Sequence, residues 1–389
     1  MRIGLFTDAY KPYICGVTIS VEMLSKGLRE LGHEVYIICL KPPKNSSEII
    51  DDDYTIRISG LPLYKNGMSD FRLSFFNNRK VKLLYKYSFD LVHIHTEFTM
   101  GKLGLLYAKK MNVPIIYTSH TMWEDYLSFI SKRLNGYIKK PLVFCLKNLL
   151  KKYTKKSFYT IVPTEKTLNK MLEYKLRSNY KIIPTGIELE QFLIRDNIEE
   201  KISLLRQKHG IVEEDFCYLY LGRISKEKNI KVLLESYLKL QKDNIVFIIV
   251  GKGLVLDELK GMVNKSNSKN KVIFTGEVSW EEVKYYYHMA DCFLNASESE
   301  TQGLTYIEAL ASGLPILVKN DEAIKDLIID NENGLIFNDE EELLSKMDMI
   351  YNDKNLRNIL KENAIKSVEK YSKECYTNSV LKLYETLII

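Results

Sequence analysis

Two glutamates in the last quarter of the chain have a spacing that suits a sugar ligand. Glu300 and Glu308 lie eight positions apart, on either side of Gly303, and the residues after Gly303 are largely apolar. If a loop ends at Gly303 and a helix begins there, Glu308 occupies its first turns and Glu300 precedes its open N–H groups. Carboxylates accept hydrogen bonds from sugar hydroxyls, and helix N-termini bind anions. Such a pair alone is more often two solvated glutamates, so other signals must support it.

A second group of residues has the charges needed to bind a diphosphate. The run 222–229 follows an apolar strand and contains Arg223, Lys226 and Lys228. Arginine grips phosphate oxygens with two N–H groups, and lysine supplies a point charge. We therefore predict that Arg223 and Lys228 neutralise a nucleotide diphosphate. Gly16, between the first strand and the next helix, allows a close backbone approach to a phosphate.

His120 is the candidate for polarisation or proton transfer. It follows the predicted strand Ile115–Thr118 and precedes an aromatic stretch. A histidine with a near-neutral pKa can polarise a bond or move a proton, whereas a structural histidine does neither. Both interpretations stay open on these grounds.

Two other patterns are weaker. Gly251 and Gly253 begin a dinucleotide fingerprint, but Leu256 stands where the third glycine belongs, so nicotinamide chemistry is poorly supported. His93 and His95 lie on one face of a strand, without a nearby cysteine or third histidine in the sequence to complete a tetrahedral site. We interpret them as ordinary buried histidines and predict no metal site.

The elements that must position these residues form an alternating pattern. The chain has 389 residues, enough for two domains, and 46% of them are hydrophobic. Short β-branched runs alternate with longer helical stretches such as Ile19–Leu31 and Asn229–Leu240, as in parallel sheets covered on both faces. The predicted strands are Ile3–Phe6, Val35–Cys39, Leu91–His95, Ile115–Thr118, Thr160–Val162, Tyr218–Leu221, Val246–Val250, Val272–Phe274, Cys292–Asn295 and Ile316–Val318.

A polar stretch divides the strands into two series. We predict an α/β protein with two doubly wound, Rossmann-like domains that face each other across a cleft. The predicted first domain is residues 1–187, the linker is 188–210 and the second domain is 211–389. In an alternative arrangement, the last helix of the second domain packs back on the first domain.

The sequence also bears on the compartment. It has no apolar run near the roughly 18 residues that span a bilayer, and its first residues are typical of a strand rather than a signal peptide. The six cysteines form no CxxC pair and are expected to be reduced. We therefore expect a cytosolic protein.

The charge of the chain is unevenly divided. Residues 1–185 have a net charge of +15 and residues 186–389 a net charge of −9. The segment 132–158 contains nine Lys or Arg and no acidic residue, and Pro141 is placed to open a helix in it. One face of this helix would carry Leu142, Leu146, Leu149 and Tyr153, and another a stripe of Lys147, Lys151 and Lys155.

A basic amphipathic helix attracts anionic lipid headgroups by about 1 kcal/mol per Lys or Arg near the surface. We therefore predict that the segment from Lys132 to Lys156 contacts a membrane surface. The alternative is that the apolar face packs on the sheet and the lysines face water, and both can hold at once. Nucleic acid is a less favoured partner, because the segment has no base-reading motif.

Five segments together resemble the retaining GT-B glycosyltransferases of family 4, in particular the bacterial branch that transfers glucose to diacylglycerol. They are residues 8–17, 92–98, 120–126, 222–228 and 297–309. The glutamate pair with Gly-Arg and Lys is shared by the wider family. Ser-His-Thr-Met-Trp-Glu-Asp-Tyr at 119–126 and Glu-Thr-Gln-Gly-Leu-Thr-Tyr-Ile-Glu at 300–308 point to the lipid branch. Two positions depart from the pattern, with Cys15 for a glycine and Trp123 for a tyrosine.

The resemblance implies a role for each candidate residue toward a UDP-sugar donor bound mainly by the second domain. It assigns Glu300 to the hydroxyls of the donor sugar and Glu308 to the ribose. The roles it assigns to the other residues are these: Arg223 and Lys228 to the diphosphate, Gly303 and Leu304 to sugar or phosphate through backbone N–H groups, and His120 to the sugar near the reacting carbon. In the mechanism that we expect, domain closure brings the Gly16 loop to the diphosphate. Retention by double displacement would need Glu300 as nucleophile, but the resemblance gives Glu300 a sugar-holding role. Front-face attack assisted by the leaving phosphate is therefore preferred, and no metal is required if Arg223 and Lys228 stabilise the charge on UDP.

The function expected from this resemblance is transfer of glucose from UDP-glucose to 1,2-diacylglycerol, at the inner face of a bacterial plasma membrane. An alternative is transfer of galactose or an N-acetylhexosamine to a glycolipid or a soluble cell-envelope precursor. Another is a non-catalytic, membrane-associated protein that binds nucleotide sugars. The oligomeric state does not follow from the sequence.

Overall fold

The computed structural model describes residues 1–42, 51–62, 72–74, 77–120, 139–193, 198–240 and 242–388. The chain separates into two compact units, which are Met1–Ile187 with Tyr371–Ile389, and Glu188–Lys370. Each unit is built around one parallel sheet. The six cysteines form no disulfide.

The first unit contains a seven-stranded sheet in the order β3-β2-β1-β6-β7-β8-β9. Its central strands are fully buried because helices cover both faces, which explains their continuous apolar sequences. A separate two-stranded antiparallel ribbon pairs β4 with β5. The strands are β1 (Arg2–Phe6), β2 (Glu34–Leu40), β3 (Thr55–Ile58), β4 (Leu61–Pro62), β5 (Arg72–Leu73), β6 (Leu91–Ile94), β7 (Ile115–Thr118), β8 (Tyr159–Val162) and β9 (Tyr180–Ile182).

The second unit contains a six-stranded sheet in the order β12-β11-β10-β13-β14-β15. In both sheets the strand order reverses beside the first strand, where doubly wound folds bind ligands. The strands are β10 (Phe216–Leu221), β11 (Ile245–Val250), β12 (Lys271–Gly276), β13 (Cys292–Asn295), β14 (Ile316–Lys319) and β15 (Leu335–Phe337).

Helices connect the strands in both units. The α-helices are α1 (Gly16–Glu30), α2 (Asn77–Leu84), α3 (Thr99–Met111), α4 (Lys139–Lys156), α5 (Glu165–Glu173), α6 (Ile198–Lys208), α7 (Ile230–Lys239), α8 (Leu256–Lys265), α9 (Trp280–Met289), α10 (Leu304–Ala311), α11 (Glu340–Asn352), α12 (Lys354–Ser367) and α13 (Lys373–Glu385). Short 3-10 helices occur at Tyr85–Tyr87, Leu189–Phe192, Lys226–Lys228, Glu322–Ile324 and Glu369–Tyr371. Among the described residues, no helix is long and apolar enough to cross a membrane.

The predicted strands are all present, with bounds shifted by at most two residues, but the stretch 188–210 is not a linker. Most of it is a 3-10 helix and α6, and both belong to the second unit. Ile198 of α6 is buried, and the Arg206 guanidinium donates to the Met289 carbonyl at the end of α9. These contacts hold α6 against α9, which a polar sequence did not indicate.

The last helix belongs to the first unit, as the sequence had left open. The Lys373 ammonium of α13 binds the Glu30 carboxylate of α1 at 2.7 Å. A side chain added at Gly27 would place its Cβ 2.1 Å from Thr377 Oγ1, so glycine permits the close approach of α1 and α13. The chain therefore finishes on the unit in which it began.

Candidate functional site

An ion pair lies at the carboxyl edge of the second sheet. Lys228 follows β10 and Glu300 follows β13, and these two strands are neighbours. Lys228 Nζ lies 2.5 Å from Glu300 Oε1, and the two side chains are 17% and 15% exposed. The structure therefore brings together two predicted ligand-binding residues that are far apart in sequence. Low exposure strengthens their attraction relative to a surface pair.

Arg223 lies on the loop after β10 and is more exposed. Its guanidinium is 3.0 Å from the Glu227 carboxylate, and its side chain is 44% exposed. The Tyr220 hydroxyl donates to the Arg223 carbonyl at 2.9 Å, which fixes the backbone of the loop. The guanidinium is thus accessible to a ligand, although the backbone that carries it is held in place.

The Gly251-Lys-Gly253 segment has a packing role. Gly251 has a φ of +136°, and a Cβ there would lie 1.9 Å from the Gly222 carbonyl oxygen. A Cβ on Gly253 would lie 1.9 Å from the Ile224 carbonyl oxygen. Only glycine allows the loops after β10 and β11 to touch in this way. The two glycines therefore let this segment pack against the Arg223 loop. This packing accounts for two glycines without the third one of a dinucleotide fingerprint.

The predicted helix after Gly303 is α10. Gly303 has a φ of +79°, and a Cβ there would lie 2.4 Å from the Tyr306 ring, so glycine is required at this N-cap. The first helical residue is Leu304, and its N-cap residue, a glycine, has no side chain with which to cap the first N–H groups. The first turn also contains no acidic residue. These N–H groups and the helix dipole suit an anion.

Glu308 lies in the second turn of α10 and is 2% exposed. The Tyr287 hydroxyl of α9 donates to Glu308 Oε2 at 2.7 Å. Burial raises the pKa of Glu308 to about 7, and the Tyr287 hydrogen bond opposes that rise only in part. A buried carboxylate with one hydrogen bond retains acceptor capacity for a ligand hydroxyl.

We expect Glu308→Gln to stabilise the free protein at alkaline pH. The raised pKa means that the folded state binds more protons than the unfolded state between about pH 4.3 and 7, so its stability falls as the pH rises through this window. Glutamine keeps the Tyr287 hydrogen bond without the charge. At pH 8 the variant should be more stable by about 2–4 kcal/mol, with a smaller difference at pH 5. Urea unfolding at both pH values measures this difference.

Glu362→Gln, at an exposed site on α12, is the matched control and should change stability little at either pH. An unchanged pH dependence in Glu308→Gln would show that Glu308 ionises normally in the folded state.

His120 lies in the first unit, two residues beyond β7, and contacts His95. Its Nε2 atom is 3.0 Å from His95 Nδ1, and the two ring planes are 15° apart, so the rings meet edge to edge. Burial lowers the pKa of His120 to about 4. Desolvation disfavours the imidazolium ion, so the pKa of His120 lies below the near-neutral range in which a histidine moves protons most readily.

His93, in β6, and His95, directly after it, are buried histidines, as predicted. Their ring centroids lie 4.1 Å apart on the same side of the strand. His93 binds the Tyr384 hydroxyl at 2.6 Å and the Thr118 hydroxyl at 2.7 Å. Burial lowers the pKa of both histidines well below the usual range. Within the described ranges, no group of three His, Cys, Asp or Glu side chains is arranged to hold a metal ion.

Gly16, a predicted phosphate-binding residue, is the first residue of α1. Its N-cap Cys15 has an extended backbone and makes no side-chain cap hydrogen bond. The first turn of α1 contains no acidic residue. This N-terminus therefore has the same favourable electrostatics for an anion as that of α10.

Asp8 is a residue whose role sequence reasoning missed. Its carboxylate accepts hydrogen bonds from the Thr96 hydroxyl at 2.6 Å and from the Thr99 and Met100 N–H groups at 3.1 and 3.0 Å. Asp8 thus caps α3, whose own N-cap Phe98 has no suitable side chain. The cap comes from the loop after β1, which is distant in sequence, so the residues around α3 give no signal for it.

The basic helix α4 both packs apolar side chains in the core and exposes lysines, which are the two arrangements considered from its sequence. Leu146, Leu150 and Tyr153 are buried, whereas Phe144 is 67% exposed. Lys151, Lys152, Lys155 and Lys156 are exposed, but Lys147 lies over the Tyr174 ring, with Nζ 4.5 Å from its centroid. The apolar face is therefore core, and the lysine stripe is interrupted at Lys147. Residues 132–138 and Trp123 lie outside the described residues.

Two parallel-sheet units, one of them with a cationic loop, an acidic residue and a helix N-terminus at one sheet edge, are the features expected of glycosyltransferases with the GT-B fold. Residues 14–191 match the family model described as Glycosyltransferase Family 4, and residues 201–367 match the model described as Glycosyl transferases group 1. The predicted α/β class and GT-B fold are confirmed.

The chain belongs to this glycosyltransferase family, and its relatives define the branch. It is 40% identical to an alpha-monoglucosyldiacylglycerol synthase of Acholeplasma laidlawii, over 100% of this chain and 98% of the relative. It is 34% identical to the synthase of the same name from Streptococcus pneumoniae, over 88% of this chain and 76% of the relative. The predicted resemblance to the lipid branch is confirmed.

Solved structures agree on the fold. Anabaena HepE in complex with UDP-glucose superposes with a TM-score of 0.77 at 16% identity, over 100% of both chains. WaaG, a glycosyltransferase involved in lipopolysaccharide biosynthesis, gives a TM-score of 0.72 at 17% identity, over 98% of this chain and 99% of its own.

Proposed function

We propose that this protein transfers glucose from UDP-glucose to the free hydroxyl of 1,2-diacylglycerol and forms the α-glucosyl lipid. The observation that carries the proposal is the Lys228–Glu300 pair beside the open N-terminus of α10, in a chain 40% identical to a synthase of that name. A cation, a carboxylate and a row of N–H donors at one sheet edge match the phosphate and hydroxyl groups of a nucleotide sugar.

The donor would be held by groups of the second unit. Glu300 accepts hydrogen bonds from glucose hydroxyls, and Glu308 accepts those of the ribose with the oxygen that Tyr287 does not bind. Arg223 and Lys228 neutralise the diphosphate, and the N–H groups of Gly303 and Leu304 bind sugar or phosphate oxygens. Because two cations stabilise departing UDP, we propose that the reaction needs no metal.

The first unit would supply the remaining contacts. We propose that the N-terminus of α1 at Gly16 binds phosphate oxygens of the donor and that His120 contacts the sugar near its reacting carbon. In the reaction, the bond from the anomeric carbon to the phosphate oxygen breaks and a bond to the acceptor oxygen forms on the same face. The acceptor proton passes to the departing phosphate oxygen, so no enzyme carboxylate acts as a nucleophile.

Helix α4 is the proposed contact with the membrane. The exposed lysines 151, 152, 155 and 156 would meet anionic headgroups, at about 1 kcal/mol each. Phe144, 67% exposed on the same helix, supplies an apolar group for the interface. This arrangement would place the enzyme peripherally on the inner face of the plasma membrane, where its lipid acceptor is.

We expect the double substitution Lys151→Glu and Lys155→Glu to weaken vesicle binding by at least about tenfold, because it reverses two charges on α4. Flotation with vesicles of anionic and of neutral lipid measures this loss. Lys109→Glu with Lys110→Glu makes the same charge change at exposed positions on α3 and is the matched control. Equal losses in the two double variants would mean that net charge, not α4, drives binding.

The function is tested by UDP release from UDP-glucose, with and without diacylglycerol in anionic vesicles. We expect release that depends on diacylglycerol and a new lipid with an α-linked glucose by NMR. Turnover only with UDP-galactose or a UDP-N-acetylhexosamine would favour the alternative donors. Vesicle and UDP binding without release from any of these donors would identify a non-catalytic binding protein.

A further inference from the structure

His93 and His95, which lie beside His120, differ in how many of their ring nitrogens form hydrogen bonds. His93 binds a hydroxyl with each of its ring nitrogens. His95 binds His120 through Nδ1, but its Nε2 atom is buried and has no hydrogen-bond partner in the described structure. The residue itself is 1% exposed, so bulk solvent does not reach Nε2. The protonation of His95 is therefore constrained by its surroundings.

Burial keeps the pKa of both partners low, so the His95–His120 pair is neutral. Each ring then holds one proton, and one ring must donate to the other across the 3.0 Å contact. If the His95 proton were on Nε2, a buried N–H donor would have no acceptor. A buried N–H donor without an acceptor is rarer than a buried acceptor atom without a donor. The His95 proton therefore belongs on Nδ1, which leaves Nε2 as the acceptor.

We propose that His95 is a positioning residue that donates from Nδ1 to His120 Nε2 and thereby fixes His120 as the tautomer protonated on Nδ1. The two ring planes are only 15° apart and the centroids lie 5.2 Å from each other, so the rings meet edge to edge, as an N–H···N hydrogen bond between them requires. His120 is then a hydrogen-bond donor from Nδ1, and its Nε2 lone pair is already used.

This inference rests on the proposed function and sharpens the role of His120 in it. A neutral imidazole whose basic nitrogen is occupied is a poor general base. It is suited to donating to an oxygen of the sugar or of the acceptor. Of the two roles considered for His120, the structure therefore favours orientation and polarisation over proton transfer.

The tautomer is measured directly by two-dimensional ¹H–¹⁵N NMR of the protein labelled with ¹⁵N-histidine, at neutral pH and without substrate. We expect a pyrrole-type nitrogen at His120 Nδ1 and a pyridine-type nitrogen at Nε2, with the signals assigned by a His120→Gln variant. A pyridine-type Nδ1 at His120 overturns the proposal. This result does not depend on any activity, so it is separable from failure of the proposed function.

Substitutions at His95 test its effect on the reaction. Asparagine places an amide donor near the Nδ1 position, whereas phenylalanine removes the hydrogen bond but keeps a ring. We expect His95→Phe to shift His120 toward the other tautomer and to lower kcat/KM about tenfold, and His95→Asn to restore most of both. An unchanged His120 tautomer in His95→Phe would overturn the proposal.

Tyr384→Phe is the matched control, because it removes a hydrogen bond of His93 and leaves the His95–His120 contact intact. We expect its His120 spectrum to match that of the wild type. If His95→Phe does not fold, the wild-type spectrum alone decides the tautomer. An altered His120 tautomer in Tyr384→Phe would show that the whole row, rather than His95, sets the proton position.

Discussion

Replacing Arg223 with alanine should lower kcat by about 100- to 1,000-fold while the protein stays folded. The guanidinium is nearly half exposed, and its ion pair with Glu227 is of the surface kind that contributes at most about 1 kcal/mol to folding. Its proposed task is to stabilise the charge that grows on departing UDP, which requires a correctly placed cation. The loss should therefore appear in turnover much more than in the free energy of unfolding.

Single-turnover kinetics with UDP-glucose and urea unfolding of the same preparation measure the two effects. Arg223→Lys keeps the charge but not the two-pronged donor, so it should recover part of the rate. Glu227→Gln removes the carboxylate that Arg223 binds, without removing the cation, and serves as the matched control. If Arg223→Ala keeps more than about a tenth of wild-type kcat, Arg223 does not serve the leaving group.

The strands that sequence predicted are those buried on both faces. Leu91–Ile94 and Ile245–Val250 are buried at every position, so their apolar runs are unbroken. The missed strands are short. Tyr180–Ile182 lies at the edge of its sheet with two exposed residues, and Leu335–Phe337 has only three residues. Pairing with one neighbour defines such strands, and a hydrophobic pattern does not reveal that pairing.

The candidate residues of the site were predictable one by one, but their relations were not. Lys228 and Glu300 were selected by residue type and position after strands, whereas their contact depends on β10 and β13 being neighbours. The low pKa of His120 depends on desolvation, which the residues beside it in sequence do not show. The Asp8 cap on α3 likewise joins segments about 90 residues apart. Strand order and burial are properties of the folded chain.

The Lys228–Glu300 pair allows folding and function to be separated. Lys228→Met should destabilise the protein by about 1–3 kcal/mol, because it removes the cationic partner of a carboxylate that is only 15% exposed. Glu300→Gln should destabilise the protein by a similar amount, because it leaves the Lys228 ammonium without its carboxylate partner. The double variant removes both charges, so we expect it to recover most of the lost stability. Urea unfolding of the four proteins gives the coupling free energy between the two residues.

The double variant should regain stability but not activity. Because Lys228 is proposed to bind the diphosphate and Glu300 the sugar, each single variant should lose about 100-fold or more in kcat/KM, and the double variant should stay equally inactive. Lys231→Met with Glu235→Gln neutralises an exposed ion pair on α7 and is the matched control, with little expected change in either property. A stable double variant that also regains activity would mean that the pair serves the fold alone. A stable and inactive one would mean that the two charges are kept for a ligand, since the fold does not need them.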